Sequence, residues 1–379
     1  MSQWKEFRIE ELGELLNSKR VPLSSTQRAT RKGEYPYYGA SGIVDYLDDF
    51  IFDGEHVLIS EDGENLRTRK TPVAFIANGK FWVNNHAHIL RCKTDYLSKL
   101  VVYFFSHLDL NEYITGAVQP KLNKSSLCSI PIPLPKDSRE QRAIASVLSS
   151  LGDKIDLLHR QNKTLEAMAE TLFRQWFVEE AKDDWEEVPL REVCHIQNGY
   201  AFQSPTYVEQ GTRIIRTMNF ANHWIELTDL VYISQELARS HEKFYLRRND
   251  FLLVMVGASL GNFALVTNDV LPSLQNQNMW AFRANTIIDQ HYLNFAIRQI
   301  VNEILFGASG SAREFFQKGV FYELGIRLPP SALLKKFASF AESTFSRIEL
   351  NRFQLQSLEK LRDNLLPKLM SGEVRVQYE

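Results

Sequence analysis

The chain states one order of segments twice, and this duplication restricts the folds open to it more than any other feature. Trp4-Lys5-Glu6-Phe7 is echoed by Trp185-Glu186-Glu187-Val188, and Ile132-Pro133-Leu134-Pro135 by Ile326-Arg327-Leu328-Pro329. Lys154-Ile155-Asp156-Leu157 returns as Arg347-Ile348-Glu349-Leu350. A period of about half the chain belongs to a duplicated domain pair, not to a solenoid of short units. Each copy runs from a Trp-led amphipathic opening through a Gly- and aromatic-rich body to a proline step and a long helix.

The helices carry the clearest periodicity. From Leu148 the pattern steps by three and four through Leu151, Ile155, Leu158, Asn162, Leu165, Ala169, Leu172 and Trp176. This is a narrow a/d seam with one polar a-position at Asn162, a choice that costs stability and fixes register. The second copy reads Ile348, Asn351, Leu355, Leu358, Leu361, Leu365 and Leu369, with Gly372 as its stop. Pro133, Pro135, Pro329 and Pro330 forbid helix just upstream of each. If a two-fold relates the copies, the helices pack antiparallel, seam to seam. About 34 residues at 1.5 Å each give a spacer on the order of 50 Å. That lies between one and two turns of B-DNA at roughly 34 Å per turn.

The bodies read as strand-rich. Val57–Ser60, Val73–Ile76, Phe81–Val83 and Ala87–Leu90 are short strands divided by Gly, Asn and Asp, and Leu97 to Tyr113 is helical in pattern. The second body matches with Phe251–Val256, Phe263–Val266, Met279–Phe282 and a helix near Tyr292–Phe306. The expectation is an α+β chain in four segments: a first body over 1–135, a central helix over 136–183, a second body over 184–328 and a C-terminal helix over 329–379.

Catalytic chemistry is hard to place. No Gly-rich loop ends in Lys-Ser or Lys-Thr, and Gly257-Ala258-Ser259-Leu260-Gly261 reads better as a turn between strands. There is no Asn-Pro-Pro-Tyr-type sequence for methylating base amines. His86-Ala87-His88 puts two imidazoles on one face of a strand but lacks a third ligand at a recognisable spacing. Cys92, Cys128 and Cys194 are odd in number and unclustered, against both a disulfide framework and a zinc site. Asp109 with Gln119-Pro120-Lys121 faintly resembles a magnesium-dependent nuclease core without its second carboxylate. No cofactor and no metal are expected on the chain. With no run of about 18 apolar residues and no signal-like start, a cytoplasmic protein without membrane contact is expected.

Recognition fits better. A duplicated monomer has the pseudo-symmetry of a dimer, suited to a partner of repeated geometry such as double-stranded DNA. The net charge of −2 means that any electrostatic footprint is local. In the first body the candidates are Arg28, Arg31, Lys32, Arg67, Arg69, Lys70, Asn84, Asn85, Lys121, Asn123 and Lys124. In the second they are Arg213, Arg216, Asn219, Gln275, Gln277, Asn278, Ser309, Ser311 and Arg313. Cations suit phosphates and guanine edges, amides suit adenine edges.

These residues sit in an arrangement that resembles a type I restriction–modification specificity subunit along the whole chain. The carrying motifs are Tyr35-Pro36-Tyr37-Tyr38-Gly39-Ala40-Ser41-Gly42, Phe52 through Ile59, Glu61-Asp62-Gly63 and Val83 through His88. Arg139-Glu140-Gln141-Arg142-Ala143-Ile144-Ala145, Asp250 through Gly261, and Leu365 through Gly372 complete them. The second helix departs from the pattern, opening with Ser331-Ala332-Leu333-Leu334-Lys335-Lys336 where the first has Arg139-Glu140-Gln141-Arg142. The resemblance implies two target-recognition domains, each reading half of a split DNA site, with helices that fix the gap. It also implies docking to two methyltransferase subunits, which carry S-adenosylmethionine and modify adenine, and to motor–nuclease subunits. The chain itself would then have no active site. Two other readings compete: a coiled-coil scaffold that binds proteins, and a nuclease working through Asp109 and Lys121.

Overall fold

Far apart in sequence, the Trp-led opening and the proline step of each half are partners in one two-stranded ribbon. In the first half β1 (Trp4–Phe7) pairs antiparallel with the strand Ile132–Pro135, setting Pro133 against Glu6 and Pro135 against Trp4. Residues without an N–H thus lie in a ribbon whose outer edge carries no further ladder. Ile132 and Leu134, between the prolines, are buried. The computed structural model describes residues 4–116, 118–307 and 316–377. The chain divides into two units, one running to Leu157 and including residues from 356 onward, the other Leu158–Leu355.

In the first unit the short helix α1 (Ile9–Leu12) leads into β2 (Gly13–Leu15), then α2 (Ser25–Ala29) and the hairpin β3 (Lys32–Gly39) and β4 (Gly42–Leu47). Next come β5 (His56–Ser60), α3 (Asn65–Thr68), β6 (Ala74–Ala77), β7 (Trp82–Val83), β8 (Ala87–Cys92), α4 (Asp95–His107), α5 (Lys124–Ser129) and β9 (Ile132–Pro135). One sheet has the order β2-β8-β5-β6 and is antiparallel throughout; a second has the order β4-β3-β7, with β3 and β7 parallel. All five residues of β5 are buried, as an uninterrupted apolar run requires of a strand covered on both faces. Leu97, Leu100, Val101, Phe104 and Phe105 of α4 recur at helical spacing and join Val57, Ile59 and Leu90 in one core. The helix stops at His107, short of the expected Tyr113. Arg69, itself at φ +49, donates to the carbonyls of Phe105, Ser106 and Leu108, which satisfies the helix end there.

The long helix α6 (Ser138–Arg174), like the final helix of the chain, contributes to both units. In the second unit it is followed by a π-helical turn, Gln175–Glu179. Then come β10 (Glu187–Pro189), α7 (Leu190–Val193), β11 (Cys194–Asn198), β12 (Tyr207–Val208), β13 (Thr212–Ile215), β14 (Phe220–Ala221), β15 (Trp224–Ile225), β16 (Val231–Ile233) and α8 (Gln235–Ser240). β17 (Phe251–Val254), β18 (Phe263–Leu265), β19 (Ser273–Gln275), β20 (Met279–Ala284), α9 (Gln290–Gly307), α10 (Lys318–Glu323), β21 (Gly325–Arg327) and α11 (Ser331–Ser371) complete the chain. The order β11-β20-β17-β18 matches β2-β8-β5-β6 and is extended by β15 and β14. The order β16-β13-β19 matches β4-β3-β7, again with the last pair parallel, and β10–β21 repeats the ribbon β1–β9. The duplication in the sequence is therefore a duplication of topology, and the expected α+β class holds.

Within the first unit, Ile144, Ala145 and Leu148 of α6 share a core with Leu366, Leu369 and Met370 of α11. Glu140 is buried and paired with Arg375 through two hydrogen bonds of 2.8 Å, and Gln141 Nε2 donates to Pro135 O at 2.7 Å. Gly372 ends α11 at φ +77, where a Cβ would lie 2.7 Å from the Trp4 ring. Within the second unit the helix segments run antiparallel: Asn162 meets Asn351, Phe173 meets Phe337, and Lys336 lies over Trp176. Of the seam positions, Leu148, Ile155, Leu158, Ile348, Asn351 and Leu355 are buried; Leu151, Asn162, Leu165, Leu172, Leu358 and Leu365 are half-buried. Leu361 is a correction: it is 50% exposed, because the three–four stepping from Leu358 falls on Arg362 instead. Phe173, Phe177, Phe337 and Ala341 are buried members that the narrow seam omits. Among the described residues no helix is long and apolar enough to cross a membrane.

Candidate nucleic-acid interface

Both units place the same group of loops at the end of their central strand. In the first, the chain leaves β5 through Glu61-Asp62-Gly63 and enters β8 from the turn Asn84-Asn85-His86. Glu61 N donates to His86 O at 2.8 Å, and Leu122 N donates to Glu61 O at 2.8 Å. In the second, Met255 N donates to Asn278 O at 3.1 Å and Phe316 N to Met255 O at 2.8 Å. The backbone bonds make Glu61 equivalent to Met255, His86 to Asn278 and Leu122 to Phe316. Gly63 and Gly257 both turn the chain at positive φ, +109 and +84, which glycine adopts without a Cβ clash.

Side chains fill this common frame differently. Beneath the first turn, Arg20 donates to Glu61 Oε2 at 2.6 Å and Lys121 approaches Glu61 Oε1 at 3.4 Å. Burial pushes the Glu61 carboxyl up, but hydrogen bonding from Arg20, with Lys121 beside it, outweighs it and holds it below the usual carboxylate range. His88 is buried; its Nε2 faces Leu122 O at 2.7 Å and its Nδ1 faces Asn17 Nδ2 at 2.8 Å. A carbonyl only accepts and an amide nitrogen only donates, so the ring is neutral with its proton on Nε2. Burial lowers its pKa accordingly. At the surface, both oxygens of Asp62 take the Nδ1 of His86, at 2.8 and 2.9 Å. In the second unit the matching interior is apolar, with Trp280 packed on Phe321 at 5.3 Å between ring centroids and Phe316 on Phe321 at 5.2 Å.

The residues singled out by sequence separate into groups. Lys70, Asn85, Lys124, Gln277 and Asn278 are exposed, as are Arg67 and Lys121, which bond Gly116 O and Glu61. Arg28 and Lys32 are held by Asp45, Arg31 by Asp48 and Asp49, and Arg28 and Arg31 also lie over the rings of Tyr37 and Trp82. A phosphate would have to displace those carboxylates. Ser309, Ser311 and Arg313 lie outside the described residues.

Seven candidates are corrected because each commits side-chain polar atoms to bonds inside the fold. Gln275 is fully buried and donates to Gln197 O and Met279 O. Asn219 is buried, accepting from Arg216 N and donating to Thr228 O. Asn84 is buried and accepts from His86 N, Asn123 caps α5 through Ser126 N, Arg213 binds Asp269 O and Leu271 O, and Arg69 closes α4 as described. Arg216 reaches Asp229 O. Amides and guanidiniums that satisfy turns look the same in sequence as those that read bases.

His86 and His88 are likewise not a metal-binding pair: one is exposed on Asp62, the other buried on Leu122 and Asn17. No group of three or more His, Cys, Asp or Glu able to hold a metal ion occurs among the described residues. Asp109 accepts from Asn111 N while Lys121 pairs with Glu61, so the two residues of the nuclease reading have separate partners. The sequence reading missed the Asp62–His86 pair, for which the adjoining Glu61-Asp62-Gly63 and His86 motifs were the available signal.

Comparison with known proteins agrees with this architecture. The sequence model of the type I restriction modification DNA specificity domain matches residues 1–167 and again 182–360. The chain is 25% identical to the type I restriction enzyme MjaIX specificity subunit of Methanocaldococcus jannaschii, over 99% of this chain and 94% of that protein. It is 34% identical to the putative type I restriction enzyme specificity subunit S.HindORF215P of Haemophilus influenzae, over 39% of this chain and 37% of the other. The crystal structure of the type I restriction–modification S subunit from M. genitalium shares the fold, with a TM-score of 0.70 at 17% identity over 97% of this chain and 96% of that one. Two copies of one frame and two matches to one domain make this chain a member of the type I restriction–modification DNA specificity family.

Proposed function

We propose that the chain is the non-catalytic, sequence-reading subunit of a DNA methylation and restriction complex that acts in the cytoplasm. Each unit reads one part of a split, asymmetric DNA site. The observation that carries this reading is a single topology present twice with different side chains on equivalent turns, which suits two unlike half-sites better than a palindrome. In this reading the cations Arg67, Lys70, Lys121 and Lys124 meet phosphates and Asn85, Gln277 and Asn278 meet base edges, which their exposure supports. The long helices α6 and α11 set the gap between half-sites and dock two methyltransferase subunits, which hold S-adenosylmethionine; motor–nuclease subunits complete the complex. With a net charge of −2, the chain relies on those subunits for part of its grip on DNA.

Genome-wide mapping of adenine methylation tests the reading. Cells with this chain and its methyltransferase partner are compared with cells lacking only the chain. A split motif methylated only when the chain is present supports it. An assembled complex whose methylation does not depend on the chain would leave a scaffold.

A further inference from the structure

His86 and Asn278 occupy one position in two copies of the same frame, and both are exposed. Each is the last residue before the strand that lies next to the central one, and each gives its carbonyl to the equivalent backbone N–H, of Glu61 or Met255. His86 is faced by Asp62, and at the position equivalent to Asp62 the second unit has Val256, each just before the turning glycine. The backbone hydrogen bonds are shared while the chemistry differs, and Asn278 alone of the two sits at positive φ, +72: this is where two readers built alike would come to ask for different bases.

The first turn is tied down by hydrogen bonds. His86 N donates to Asn84 Oδ1 at 2.8 Å, Asn84 N to Tyr38 O at 3.0 Å, and the imidazole is clamped by both Asp62 oxygens. Asp62 is only 15% exposed and His86 47%, so a half-sunk carboxylate aims a ring whose outer edge meets solvent. A carboxylate only accepts, so Nδ1 carries the proton it receives. Nε2 has no partner among the described residues, and it offers one directional hydrogen bond. Asn278 differs. Its amide presents a donor beside an acceptor, the pair that complements N6 and N7 of adenine in the major groove. Groups fixed before the ligand arrives discriminate better than groups that must first be ordered.

We infer that His86, aimed by Asp62, and Asn278 are the specificity-determining side chains of the first and second units, each making a hydrogen bond to a base edge. This rests on the reading given above, that each unit binds one half-site. Asp62 is a positioning residue, acting through the imidazole.

The test uses the full chain in complex with its methyltransferase, with methylated motifs mapped across a genome and rates measured on duplexes altered one base at a time. His86→Ala should cut discrimination at one base position of the first half-site on the order of 10- to 100-fold, leaving the second half-site and the gap unchanged. Asn278→Ala should do the converse. Asp62→Ala should weaken the same base position as His86→Ala, and Asp62→Asn, whose amide oxygen still accepts from Nδ1, should restore most of it. The exchange Asp62→Val with His86→Asn should change the base preferred at that position. If His86→Ala abolishes all methylation, His86→Asn decides: a shifted first half-site supports the assignment, and continued loss overturns it. Wild-type preferences retained in both alanine variants overturn it as well. A wild-type complex that confers no split motif defeats the underlying reading, an outcome visible before any variant is made.

Discussion

The ends of the two central strands solve one packing problem by opposite means. In the first unit the space beneath the turn holds charge: Glu61 between Arg20 and Lys121, with neutral His88 tied to Leu122 and Asn17. In the second, rings of Trp280, Phe316 and Phe321 fill the same place. The backbone hydrogen bonds around them are the same, so the frame does not depend on which filling is used. What differs is how each filling fails. A polar network holds only while every member is satisfied, whereas an aromatic cluster loses stability in proportion to the volume removed.

That difference can be broken from either side. The largest effect is expected from Trp280→Ala, which empties a fully enclosed site and should lower unfolding free energy by about 4 kcal/mol, read as the shift in a denaturant midpoint. Glu61→Ala should cost the first unit about 2 kcal/mol, because Arg20 and Lys121 lose their shared acceptor while residual solvent softens the loss. A smaller cost for Trp280 than for Glu61 would mean that the second interior collapses around the gap.

The helix seam sharpens the same contrast between polar and apolar filling. Asn351 is 2% exposed and donates to half-buried Asn162 at 2.8 Å. Asn162→Leu strands the buried donor and should cost about 1.5 kcal/mol; Asn351→Leu should cost less, since Asn162 can reach water. Changing both should recover most of the loss, a non-additivity that a double-mutant cycle measures. Additive losses would show that the two amides do not depend on each other.

The smallest effect is one of pH. Burial holds His88 below the ordinary histidine value of 6.5, so the unfolded chain takes up this proton before the folded one does. Its contribution to stability is therefore complete above that value and is lost as the pH falls through it toward the lowered folded one. Denaturation at about pH 7.5 and about pH 5.5 should show a larger drop for the wild type than for His88→Gln; equal drops would clear His88 of any part in acid sensitivity.

Much of the frame was legible because hydrophobic period and proline placement are local. The buried run Val57–Ser60, the strand from Met279, the helix starts after Pro135 and Pro330 and the seam from Leu148 all follow from spacing alone. Side-chain roles were less so. Arg69 reads as part of a basic loop, yet its guanidinium closes α4, and the helix consequently ends six residues before the apolar pattern does. Gln275 and Asn219 carry the chemistry of a base reader and spend it on carbonyls inside the fold. The Asp62–His86 pair exists only once β5 and β8 lie side by side, so no window of sequence contains it.

The ribbons β1–β9 and β10–β21 have a consequence for how such a chain can change. Each joins the entry and exit of its half by main-chain hydrogen bonds, so everything between Trp4 and Pro135, or between Glu187 and Arg327, hangs from one two-stranded clasp. A foreign insert needs two compatible strand ends there and an apolar face to meet the helices. Breakpoints placed within the clasps therefore leave junctions that are short, extended and already paired, and a library built by cutting at them starts from correctly tethered modules.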